Sequence, residues 1–149
     1  MTTRRIHRVS LYLLDPERKR ILLHRSQEPA FKGQYMPLSA PLSDWETPTE
    51  TATQLVRSTL NVPFEFLGHN PSLPLVLDEV SIKIFPPLHV QVTRVNESND
   101  YVDYVYLGQA KEAPELQDKG RLGWFYQGNL KTAPTHVKHV VHYILALMN

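Results

Sequence analysis

Ala40-Pro41-Leu42-Ser43-Asp44-Trp45-Glu46-Thr47-Pro48-Thr49-Glu50-Thr51-Ala52-Thr53-Gln54-Leu55-Val56-Arg57-Ser58-Thr59-Leu60-Asn61-Val62 is the stretch on which the fold turns. Thr47 reads as a helix N-cap, Pro48 as its first helical residue and Glu50 as the acid that completes a capping box. The helix runs to about Leu60. Ala52, Leu55, Val56 and Leu60 recur at helical spacing, so one face is apolar, and Asn61 with Pro63 ends the element.

Working outward toward the N-terminus, residues 27 to 46 read as irregular, holding Pro29, Gly33, Pro37 and Pro41. Before them Arg20 to Ser26 carries the apolar run Ile21-Leu22-Leu23, a strand. Arg5 to Leu14 alternates as a strand does, with Ile6, Arg8, Ser10 and Tyr12 on one face and Arg5, His7, Val9, Leu11 and Leu13 on the other. The turn Asp15-Pro16-Glu17-Arg18 joins the two into an antiparallel hairpin. Toward the C-terminus, strands are expected at Phe64 to Leu67, Leu88 to Val95, Tyr101 to Gln109 and Trp124 to Tyr126. Asn96-Glu97-Ser98-Asn99-Asp100 is a hairpin loop between two of them. A closing helix starts near Pro134-Thr135, with Val137, Val140, Val141, Ile144 and Met148 on one stripe. A mixed sheet covered by two helices is the simplest assembly.

Composition narrows the chemistry. The 149 residues suit one domain, 1–149, able to bury a core without staples. The absence of cysteine excludes disulfides, zinc-thiolate sites and cysteine nucleophiles, and fits a reducing, cytoplasmic home. The basic start, followed by an apolar stretch interrupted by Ser10 and Tyr12, reads as a strand and not as a signal peptide. No run approaches the roughly 20 apolar residues of a membrane span. With 16 Lys and Arg against 15 Asp and Glu, the net field attracts neither nucleic acid nor anionic membrane, so any phosphate binding must be local.

In this order the elements resemble the Nudix hydrolases, over nearly the whole chain. Ile21-Leu22-Leu23-His24-Arg25 is similar to the family's second strand, and Phe31-Lys32-Gly33-Gln34-Tyr35-Met36-Pro37 to its F-x-G-x-W-x-x-P approach. Tyr101-Val102-Asp103-Tyr104-Val105-Tyr106 is similar to a later central strand, and Gly123-Trp124-Phe125 with Leu130 to the tail. The resemblance implies the Nudix fold, of α/β (α+β) class, with a mixed β-sheet sandwiched between helices. The family's box reads G-x5-E-x7-R-E-U-x-E-E-x-G-U, U being aliphatic, and Glu46-Thr47-Pro48-Thr49-Glu50 sets its register on residues 40 to 62. Only Glu46, Val56 and Val62 then obey it. The first Gly falls on Ala40, the Arg on Gln54, the three helical Glu on Leu55, Ser58 and Thr59, and the last Gly on Asn61.

Positions three and four apart share a helical face, so three carboxylates there hold divalent metal against a diphosphate. Such ions neutralise phosphate oxygens and activate the attacking water. Leu55 ligates nothing, and the hydroxyls of Ser58 and Thr59 are poor substitutes around Mg²⁺. No catalytic residue or metal ligand of the box is therefore intact, and the surviving acids are Glu46 and Glu50.

The resulting expectation is a Nudix-fold pseudoenzyme: a binding or regulatory module for a nucleotide or other diphosphate-containing ligand, with metal-dependent hydrolysis lost or impaired. The resemblance sets Arg25 beside substrate phosphates, with Arg8 assisting from the adjacent strand, because arginine forks suit phosphate geometry. A solvated rim arginine is the plain alternative. Tyr35, like Tyr12, Phe31 and Tyr104, is read either as a base-stacking platform or as core. An alternative is an active hydrolase of a nucleoside diphosphate derivative, recruiting Mg²⁺ or Mn²⁺ through Glu46, Glu50 and either Asp44 or Asp103. A further alternative is a non-enzymatic interaction subunit or homodimer, prompted by the apolar segments Pro71 to Leu77 and Ile82 to Leu88. His136, His139 and His142 recur every third residue on the last helix and fan around it, so they are expected on a polar edge and not around one ion.

Overall fold

The computed structural model describes residues 3–68, 79, 86–116 and 120–148. The strands in chain order are β1 (Arg4–Leu14), β2 (Ile21–Arg25), β3 (Tyr35–Met36), β4 (Leu38–Pro41), β5 (Phe64–Leu67), β6 (His89–Arg94), β7 (Asn99–Ala110) and β8 (Leu122–Phe125). The helices are α1 (Pro48–Thr59), between β4 and β5, and α2 (Thr135–Met148), after β8. All eight strands form one mixed sheet.

The centre of the sheet is a long parallel pair, β1 beside β7, in register from Arg4 opposite Asn99 to Leu14 opposite Gln109. On its other edge β1 is antiparallel to two partners. Leu13 and Leu14 pair with Leu22 and Ile21 of β2, while Arg8 to Leu11 pair with Pro41 to Leu38 of β4. Beyond that junction β2 carries β3, with Arg25 opposite Tyr35, and β8, with Ile21 opposite Phe125. The far edge of β7 pairs with β5 and β6.

Because successive strand residues point to opposite faces, the β1 alternation sorts two cores. Val9, Leu11 and Leu13 join Leu22, Leu38 and Tyr106 beneath Ala52 and Val56 of α1. Tyr12 and Leu14 join Ile21, Leu23, Val105 and Leu107 beneath Val137, Val141 and Ile144 of α2. The expected helix stripes hold, with Leu55 and Leu60 half-buried against the first core and Val140 and Met148 against the second.

The start of α1 is as the sequence predicts. The Glu50 backbone N–H donates to Thr47 Oγ1 at 3.3 Å, and the Thr47 hydroxyl donates to Glu50 Oε1 at 3.0 Å. At the other end the N–H groups of Leu60 and Asn61 both reach the Val56 carbonyl at 2.9 Å, and Asn61 takes φ +50°. Asparagine tolerates this left-handed helix end, a place glycine usually fills.

Residues 27 to 46 are not wholly irregular. They hold a turn of 3-10 helix at Pro29–Phe31 and the strands β3 and β4. A two-residue strand and a four-residue strand separated by Pro37 are too short to display a period, and it is pairing with β1 and β2 that makes them strands. The last strand also shifts: β8 ends at Phe125, and Tyr126 lies outside it, exposed. The segment Pro71 to Leu77 and all but the end of Ile82 to Leu88 lie outside the described residues. Among the described residues no helix is long and apolar enough to cross a membrane.

Candidate functional site

Arg8, Arg25, Tyr35 and Asp103 fall into two places. Arg8 and Asp103 face each other across the parallel β1/β7 register, on the α2 side of the sheet. Both are buried, at 4% and 1% exposure. Arg8 donates from Nε to Asp103 Oδ1 at 2.5 Å and from an Nη to Oδ2 at 2.9 Å. The Ser10 hydroxyl adds a bond to Oδ1 at 3.1 Å and the Thr93 hydroxyl one to Oδ2 at 3.0 Å. Four donors use the roughly four lone-pair sites of a carboxylate. Burial by itself would lower the Arg8 pKa, but its hydrogen bond to the Asp103 charge outweighs that and holds it raised.

The ion pair is tied outward as well. The Arg8 guanidinium lies 3.9 Å from the centre of the Tyr101 ring, and its second Nη is 3.5 Å from Glu28. Tyr101 Oη in turn donates to Glu28 at 2.7 Å. Beside this network a cavity of about 410 Å³ is bounded by Phe31, Gln91, Thr93, Arg94 and His136. His136 meets the Phe31 ring edge-on, and burial pushes its pKa down. The three α2 histidines diverge as their spacing requires, but only two lie on the expected polar edge. His139 and His142 are exposed, with His142 bonded to Gln127, whereas His136 turns inward.

Arg25 ends β2 at an open cleft. A cavity of about 350 Å³ is lined there by His24, Arg25, Gln27, Thr59, Arg121 and Leu122. It adjoins one of about 250 Å³ that shares His24, Arg25 and Gln27 and adds Ser26, Glu28, Met36 and Ser39. Strand pairing builds the cleft, since Arg25 N–H donates to the Arg121 carbonyl at 2.7 Å and so brings the two arginines to one rim. The Arg25 guanidinium lies over Tyr35, 5.5 Å from its ring centre. Tyr35 is itself held by Phe125 at 4.5 Å and by a bond from its hydroxyl to the Gly120 carbonyl at 3.3 Å. Among the described residues neither Arg25 nor Arg121 has an ion-pair partner. His24, half-buried beside them, has its pKa lowered chiefly by burial.

The other aromatic candidates divide. Tyr12 is core at 2% exposure, Phe31 lines the α2-side cavity, and Tyr104 stacks on His7 on the opposite face.

The acids do not assemble. Glu50 is engaged at the helix cap, Glu46 is half-buried in the loop before α1, and Asp44 is exposed. Asp103 lies on the far face of the sheet with its oxygens occupied, so the expected grouping of Glu46, Glu50 and Asp103 around a metal does not form. Among the described residues no three His, Asp or Glu side chains stand where they would hold an ion. The Leu55, Ser58 and Thr59 face does not fit Mg²⁺ or Mn²⁺ either. Leu55 packs on the core, the Ser58 hydroxyl donates to the Leu55 carbonyl at 3.2 Å, and Thr59 offers one neutral oxygen.

Sequence reasoning missed Arg121, Gln27 and Glu28. Arg121 and Gln27 stand in no periodic pattern, and the one contact that distinguishes Glu28 is with Tyr101, 73 residues away.

The sequence matches no protein-family model and no curated protein. Solved structures do match. A Nudix-family hydrolase from Clostridium perfringens superposes with a TM-score of 0.73 at 18% identity, covering 98% of this chain and 99% of that one. The Ap4A hydrolase of C. elegans gives 0.67 at 11% identity over 100% of both chains. The Nudix hydrolase RenU of M. smegmatis gives 0.57 at 12% identity over 96% of this chain and 86% of its own. A mixed sheet between two helices, with a capped helix following β4 and likeness to these enzymes along almost the entire chain, is the Nudix hydrolase fold.

Proposed function

We propose that this Nudix-fold chain binds a nucleotide or other diphosphate-containing ligand in the cleft at the end of β2, and that metal-dependent hydrolysis has been lost. The charge of the cleft carries the reading. Where the family's box places carboxylates that need a divalent ion to accept phosphate, this chain presents Arg25 and Arg121 with Thr59 between them and no acid in the larger cavity. Guanidinium groups neutralise phosphate oxygens directly and bind them through paired N–H donors, so no metal is required. Asn61 supports the box register, because its φ of +50° is the conformation that a glycine there would supply. That a chain of the same fold is an Ap4A hydrolase supports a nucleotide polyphosphate as the ligand class.

Calorimetry with inorganic diphosphate, ADP and ADP-ribose, each with Mg²⁺ and with EDTA, tests this. At least one should bind, and binding should survive EDTA. Arg25→Ala should weaken it about tenfold, the worth of one charge-assisted bond pair. Silence throughout at millimolar concentration overturns the proposal. Phosphate release with Mg²⁺ or Mn²⁺ that Glu46→Gln or Glu50→Gln abolishes would establish the hydrolase alternative instead.

A further inference from the structure

We propose that Glu28 is a specificity-determining residue of this cleft, selecting diphosphates esterified to a sugar by accepting hydrogen bonds from the sugar's vicinal hydroxyls. The inference rests on the diphosphate reading above and adds the class of group the diphosphate must carry.

Glu28 lines the smaller cavity with Arg25 and Ser39. A carboxylate beside an arginine rim repels phosphate, so it serves a part of the ligand that donates. Its position is built. Tyr101 Oη donates to Oε1 at 2.7 Å, Arg8 approaches Oε2 at 3.5 Å, and the Glu28 backbone N–H donates to Ser26 Oγ at 3.1 Å. Arg8 is itself fixed by Asp103, so the support reaches into the core.

The carboxylate is nonetheless not saturated. Its side chain is 38% exposed, and two contacts leave about half of its roughly four acceptor sites unused. A structural acid with a purely internal role would be enclosed as Asp103 is, at 1% exposure. An oriented carboxylate with spare lone pairs accepts two neighbouring hydroxyls through charge-assisted bonds, as an acidic residue does for a ribose in dinucleotide folds. Ser39 supplies a further hydroxyl in the same cavity.

Isothermal titration of the full chain with two probe pairs tests this and locates the sugar. ADP against 2′,3′-dideoxy-ADP reads a ribose next to the diphosphate, and UDP-glucose against UDP reads a hexose beyond it. One pair should differ by about tenfold in wild type. Glu28→Ala should abolish that difference while binding inorganic diphosphate about twofold tighter, since one like charge near the arginines is gone. Glu28→Gln, which keeps the shape, should retain part of the preference. Tyr101→Phe should also reduce it, by freeing the carboxylate, and this variant decides the matter if Glu28→Ala does not fold. Equal affinities within both pairs in wild type, or a preference that persists in Glu28→Ala, overturn the proposal while leaving diphosphate binding intact. Failure of inorganic diphosphate and all nucleotides to bind overturns both.

Discussion

Arg8 and Arg25 stand on adjacent strands of the first hairpin and have opposite fates. Arg8 is buried, with its fork closed on Asp103 and its ring-stacking face on Tyr101. Arg25 is exposed at a strand end, over Tyr35, with no ion-pair partner among the described residues. Removing a guanidinium from water costs several kcal/mol, and only a paired, fully hydrogen-bonded carboxylate offsets it. Arg8 therefore belongs to the architecture and is not a phosphate hook. Arg25 keeps its hydration and its donors, which is the state a ligand-binding arginine needs. The same residue type is a fold determinant in one place and a recognition group in the other, and burial decides between them.

The sharpest way to break this contrast is to remove Asp103. Asp103→Ala leaves a buried unpaired guanidinium and should lower the unfolding free energy by about 3–5 kcal/mol in urea titration. Replacing the pair together, Arg8→Met with Asp103→Leu, should recover most of that loss. If the single variant is as stable as the parent, the network is not the core element described above.

Restoring carboxylates on α1 is expected to have the next largest effect. Leu55→Glu with Ser58→Glu and Thr59→Glu should cost about 1–2 kcal/mol, because Leu55 gives up a half-buried contact but Ser58 and Thr59 are exposed. The folded triple variant should gain Mn²⁺ affinity that the parent lacks, followed by titration under circular dichroism. A folded variant with no such gain would refute the box register.

A smaller effect comes from pH. Burial lowers the folded-state pKa of His24 and of His136 below 6.5, so the folded chain binds fewer protons than the unfolded one. Their contribution to stability is complete above pH 6.5 and is lost as pH falls through the folded-state values. His24→Gln with His136→Gln should flatten the stability profile below pH 6.5, and an unchanged profile would contradict the burial argument. The smallest expected change in stability is that of Arg25→Ala, within about 0.5 kcal/mol of the parent, although it weakens ligand binding most directly.

Helix α1 was legible in full, from Thr47 through Pro48 to Asn61, because caps and stripes are made by residues within a few positions of one another. β1 was legible for the same reason, since its alternation already set Arg8 on the face of Tyr12. Reading Arg8 as a rim residue set that pattern aside, because an arginine on an inward face needs a partner and none is near it in sequence. β3 and β4 escaped notice because strands so short have no period of their own.

The sequence by itself determined the capped helix, the two-faced first strand and the absence of carboxylates at positions 55, 58 and 59. The tertiary structure decided which charges are occupied. Asp103 meets Arg8 only because β1 and β7 run parallel in one register, Tyr101 finds Glu28 across 73 residues, and Arg121 reaches Arg25 through β8. Such pairings depend on strand order and register across the sheet, and neither is written in the spacing of residues along the chain.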